Sequence, residues 1–182
     1  MFEAPLLDEP LREGLRLASA ALDSAERSGQ PQALSAALAQ LSRSYRAMGA
    51  LASAEAYLEL ALRWSRAGTG TAVDSTVDLL CEAADLAECL SRVHETQQAG
   101  SGHAARERAR DHAFEAGTLA GRVADPAWEI QVLLRISDVL DRCGDRDDAV
   151  QMQTRALRLM AGPAAEALNP HVMPSLGRLA DS

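Results

Sequence analysis

Four histidines, three cysteines and several carboxylate clusters are the side chains of this 182-residue chain that could do acid–base, nucleophilic or metal chemistry. His103 and His112 lie nine positions apart, which on a helix is about 900° of rotation, so they point to nearly opposite sides and cannot share an ion from one helix. His94 and His171 stand in no two-histidine metalloprotease pattern. Cys81 and Cys89 fall on one predicted helix about 12 Å apart along its axis, too far to bridge or to chelate. Cys143 precedes a helix-ending Gly144. Structural or solvated histidines and small buried thiols in a reducing compartment are the expectation, with no metal and no cofactor.

Other catalytic signatures are also missing. The run Gly68 to Thr71 lacks the strand and the lysine of a phosphate-binding loop. No serine sits in a G-x-S-x-G elbow. Asp145, Asp147 and Asp148 occupy a turn and a first helical turn, where negative charge offsets the helix dipole. Arg106, Arg108 and Arg110 are interleaved with Glu107, Asp111 and Glu115, so ion pairs four residues apart on one helix are expected rather than a nucleic-acid patch.

The elements that would carry these residues are helices. Leu34, Leu38, Leu41 and Tyr45 recur at three- and four-residue steps, and Ala54, Leu58, Ala61 and Leu62 do so after Gly49. Gly49 fits the left-handed position that closes a helix, which makes Ala33–Ser65 an antiparallel helical hairpin. The set Leu133, Ile136, Ser137, Leu140, Gly144, Ala149 and Ala156 repeats the mutual spacings of Leu38, Leu41, Ser42, Tyr45, Gly49, Ala54 and Ala61, with Gln153 in the place of Leu58. Further helices are predicted over 10–28, 72–97 and on to about Val123, with Asp125 and Pro126 opening the last hairpin.

This pattern of large, large–small, aromatic, Gly, Ala, large and Ala positions resembles the tetratricopeptide repeat. Leu38 departs from the preferred Trp of its first position, and Arg66 replaces the usual Pro. The resemblance implies an all-α fold, a right-handed superhelical array of antiparallel helix hairpins with about seven helices. We lay it out as one domain over residues 1–182. A packing helix spans 10–28, repeats 32–67 and 126–161 flank a lengthened, degenerate repeat 72–123, and 162–182 form a tail or cap with a short helix near Met173–Leu179.

Composition narrows the function. A chain of this length can remove roughly 70% of its unfolded surface from water, and with 3% aromatics its core must be Leu and Ala. Such a core leaves shallow pockets. A net charge of −8, all basic residues being Arg, repels phosphate backbones and anionic lipid. Residues 1–10 lack a secretory signal pattern and no run is apolar enough to span a membrane. A cytoplasmic location is the default, with neither nucleic acid nor membrane as partner.

Arrays of the tetratricopeptide type bind proteins along a concave groove lined by first helices. By that resemblance the groove carries Arg43 and Arg46 from the first repeat, Asp78, Glu82, Asp85 and Glu88 from the second, and Arg135 and Asp138 from the third. Members that clamp a chaperone's terminal carboxylate use Lys and Asn where this chain has Ala39 and Arg43, so that role is not expected. The leading expectation is a non-enzymatic adaptor for a basic or mixed-charge peptide. The alternatives are a self-associating structural module forming a homodimer, and a small-molecule sensing or catalytic domain near His94 and His103.

Overall fold

The structure is a computed structural model that describes residues 9–68 and 73–167. Among these residues there are seven helices and no strand: α1 Glu9–Ser28, α2 Pro31–Ala47, α3 Leu51–Ala67, α4 Val73–Gln97, α5 His103–Ala120, α6 Pro126–Cys143 and α7 Arg146–Ala167. Each helix packs on the next, and α4 also touches α6. That alternation puts α2, α4 and α6 on one side of the array and α3, α5 and α7 on the other. It is the arrangement of hairpin repeats that the sequence spacing predicts.

Local chemistry sets the outer hairpins. Gly49 adopts φ +75° and Gly144 φ +90°, a region where a side chain costs roughly 1–2 kcal/mol. The amide of Ala50 closes the first turn on the Tyr45 carbonyl at 2.9 Å, as that of Asp145 does on Leu140. α6 begins as predicted: the Asp125 side chain accepts from the Trp128 amide, and Pro126 occupies the first turn, where its missing N–H costs nothing.

The middle hairpin differs for a readable reason. Ser91 stands eleven residues after Leu80, as Gly49 does after Leu38 and Gly144 after Leu133. A serine there does not halt the helix, so α4 runs on to Gln97 and the chain turns only at Gly100, with φ +82°. α5 then ends at Ala120 rather than near Val123. Its start is wedged against α4: a Cβ on Gly102 would collide with the Ser91 carbonyl oxygen and lie 2.8 Å from Glu95 Cγ.

The core is a continuous Leu and Ala layer. Leu62, Leu80, Leu133, Ile136 and Leu140 are fully enclosed, and α5 contributes Ala105, Ala109, Ala113, Ala116 and Ala120. Tyr45 and Tyr57 stack at 5.1 Å beside this layer. Buried hydroxyls find carbonyls on the partner helix, Ser42 donating to Ala54 at 2.8 Å and Ser35 to Ala61 at 2.9 Å. α7 is interrupted at Gly162, whose φ 64° and ψ 179° are not helical. The short helix expected near Met173–Leu179 and the C-terminal cap lie outside the described residues.

Replacing Gly102 with Ala should therefore destabilise the chain by about 1–3 kcal/mol, the range for forcing a methyl into a packed contact. Half-buried Gly14, with no heavy atom within 4 Å of its added Cβ, should tolerate Ala without loss. Urea denaturation of both variants checks this, and equal midpoints would contradict the close approach of α5 to α4.

Candidate functional site on the first-helix face

The charges predicted to line the groove are present on the α2, α4 and α6 side, but most are bonded to one another. Arg43 on α2 reaches Glu82 on α4 at 2.6 Å. Arg135 on α6 meets Asp85 on α4 at 2.9 Å, and Arg142 on α6 holds both Asp85 at 3.0 Å and Glu88 at 3.2 Å. Arg92, one turn beyond Glu88, approaches it at 2.7 Å. Periodicity places these carboxylates on one stripe of α4, and the neighbouring first helices supply the arginines.

Glu88 is not presented to a ligand. Its side chain is 2% exposed and sits between Arg92 and Arg142. A buried carboxylate survives only when paired, because desolvation otherwise exceeds what one contact returns. The sequence reading missed Arg142, although its spacing of seven residues from Arg135 places it on the same face of α6. Cys81 is buried, and burial pushes its thiol up to about 12. Cys143 is likewise buried, its thiol raised to about 11 by the same cause, whereas Cys89 is half-buried beside Arg92. The two raised thiols are poor nucleophiles.

Three of the eight predicted residues remain open. Arg46, Asp78 and Asp138 are exposed and form no ion pair or hydrogen bond among the described residues. Partial loss of water around its carboxyl raises Asp78 above its ordinary value, helped by Asp74 and Glu82 and opposed by Arg135 and Arg43. The face is therefore not an acidic centre between arginine walls. It is a largely neutralised surface with two aspartates and one arginine free.

The opposite side is also laced, and here the structure corrects the expected pairing of the arginine run. Arg108 bonds Glu55 on α3 at 2.8 Å, Arg106 bonds Glu95 on α4 at 3.3 Å, and Arg110 approaches Asp145 at 2.9 Å, while only the Arg110–Glu107 pair stays within α5. Asp145 thus serves the array as well as the turn before α7. His112, mostly buried, lies 3.0 Å from Glu59 on α3 and holds that carboxyl below its ordinary value, against the opposing effect of burial. It is a structural histidine joining two hairpins. His103 is exposed at the start of α5, and His94 lines a separate shallow pocket with Gly49 and Leu51. Among the described residues no group of three or more His, Cys, Asp or Glu is placed to hold a metal, and no helix is long and apolar enough to cross a membrane.

Residues 35–67 match a protein-family model described as tetratricopeptide repeat. No curated protein matches the chain. Among solved structures, the crystal structure of BtubC (BKLC) from P. vanneervenii is similar over 90% of this chain and 76% of that one, at 20% identity and a TM-score of 0.33.

Removing Arg142 takes one of two arginines from Glu88 and one of two from Asp85. Arg142→Ala should cost about 1–3 kcal/mol, the range for hydrogen bonds to charged groups left unmade, and more than Arg92→Ala, whose side chain is 65% exposed. A double-mutant cycle of Arg142→Ala with Glu88→Gln in urea reads the coupling. A coupling energy of zero would mean the pair contributes nothing to the array.

Proposed function

We propose that this chain, which carries a tetratricopeptide repeat at residues 35–67, is a non-enzymatic adaptor that docks a segment of another protein on the face of α2, α4 and α6. Tetratricopeptide repeats in general mediate protein interactions, and this general role is the starting point. The observation that carries the reading is the sorting of charge on that face. Arg43, Glu82, Asp85, Glu88 and Arg135 are consumed in cross-helix pairs, which fix the spacing of the first helices. Arg46, Asp78 and Asp138 are left free to contact a ligand.

A partner does not need to break the internal pairs. It meets a preorganised surface, so little ordering cost is added on binding. The free groups are of both signs, which favours a mixed-charge segment over a uniformly basic one. Charged contacts at such a surface act mainly on encounter rate and specificity.

The variant Arg46→Ala/Asp78→Ala/Asp138→Ala removes only side chains without internal partners and should retain the wild-type helicity and melting temperature. Immobilised beside the wild type in a lysate of the native cells, it should retain a specific protein at least about tenfold less, while Arg63→Ala on α3 retains it fully. Equal retention by all three would exclude this face as the docking surface.

A second reading has its own observation. Val150, Leu157 and Met160 lie along one side of α7 and are among the most exposed large apolar side chains, the last two at 63%, which suits a symmetric contact between two copies. Sedimentation velocity on the full chain over a hundredfold concentration range should then show a dimer that Leu157→Glu dissociates. A monomer throughout excludes it.

A further inference from the structure

We infer that the pocket between the N-terminal halves of α2 and α4 seats a cationic side chain, a lysine or arginine of the docked segment, with Asp78 as its counter-charge. This rests on the adaptor reading of the same face and names the chemistry that one position of the ligand must have.

The pocket has a volume of about 390 Å³ and is lined by Gln32, Ser35, Ala36, Ser65, Asp78 and Leu79. Arg43 closes one side, but its guanidinium is held by Glu82 at 2.6 Å. Of the four carboxylates on the α4 stripe, Glu82, Asp85 and Glu88 already have arginines. Asp78 alone has no ion pair or hydrogen bond among the described residues, and it alone borders this cavity. Two hydroxyls of the wall are committed, Ser35 to the Ala61 carbonyl and Ser65 to Thr76 at 2.6 Å, while Ser75 also borders the pocket and its hydroxyl can accept a hydrogen bond from the ligand cation.

Ala36 and Leu79 provide apolar wall for the methylene stem that lysine and arginine carry behind their charge. An anionic group fits poorly, since Asp74 and Glu82 add to the negative field at Asp78, and Arg135 and Arg43, which oppose them, are already paired with Asp85 and Glu82. An apolar side chain would cover the Asp78 carboxylate without satisfying it, which is costly for a group losing water. A cation satisfies it with a charge-assisted hydrogen bond.

Labelled nonapeptide pools provide the test, with the central residue fixed as Lys, Arg, Leu or Glu and the other positions drawn from uncharged residues, bound to the full chain at low salt. The Lys and Arg pools should be retained roughly tenfold better than the Leu and Glu pools. Asp78→Asn should abolish that preference without changing the melting temperature, and Asp138→Asn should leave it intact. A preference that survives Asp78→Asn overturns the seat. Pools retained by the wild type without regard to the central residue overturn it too, while the adaptor reading stands. If the wild type retains no pool, the seat and the docking face fail together.

Discussion

The distance at which α5 meets α4 is the constraint on which this array depends. The inner surface of α5 is alanine at 105, 109, 113, 116 and 120, all buried; Gly102, just before it, presses against Ser91 of α4, where even a methyl would collide, and Gly117 faces Ile136 of α6. An alanine buries little apolar area, so at about 25 cal/mol per Å² each contact contributes modestly. Cohesion must come from many short-range contacts between helices that approach closely. Such an interface has little tolerance for displacement, and α4, in contact with α3, α5 and α6, transmits any shift to both neighbouring hairpins.

A surface of small residues is smooth, which leaves register underdetermined. Paired charges supply what the core lacks. Arg43, Arg135 and Arg142 join the first helices across α4, while Arg66, Arg108 and His112 on α3 and α5 meet Glu115, Glu55 and Glu59. Exposed pairs of this kind contribute only about 0–1 kcal/mol each. Their geometry is nonetheless directional, because a guanidinium fork donates to a carboxylate in few orientations. Glu88 is the extreme case, a carboxylate withdrawn from water that is tolerable only with α4 and α6 correctly spaced. Burial of apolar area holds the helices together, and the pairs fix where along their length they meet.

The fold was legible because it is written in spacing. The shared offsets of Leu38 and Leu133, Gly49 and Gly144, and Ala54 and Ala149 carry the two outer hairpins, and the structure puts both glycines in the left-handed region. The lengthening of the middle hairpin was also visible, since Ser91 takes the place of a glycine. The candidate site was legible only in part. Helical periodicity gives the face on which a charge lies but not which neighbour it meets, and pairs such as Arg135 with Asp85 join residues 50 positions apart. Arg108 was read as pairing within α5 for the same reason: a helical wheel contains no second helix. Whether a charged group is free to bind is a tertiary property, and it is what separates Asp78 from Glu82 one turn away.

That separation has a consequence for how a partner would be found and held. The chain carries 26 acidic residues against 18 arginines, a net charge of −8, so its long-range field is negative and draws basic molecules from a distance of about a Debye length, near 8 Å at physiological salt. On the face of α2, α4 and α6 most of this charge is already neutralised in place. In the docking proposed, attraction over distance and recognition at contact would therefore reside in different residues. Salt should weaken the first through the whole surface. In the docking proposed, the second would depend on the few groups, Asp78, Asp138 and Arg46, that have no ion pair or hydrogen bond among the described residues.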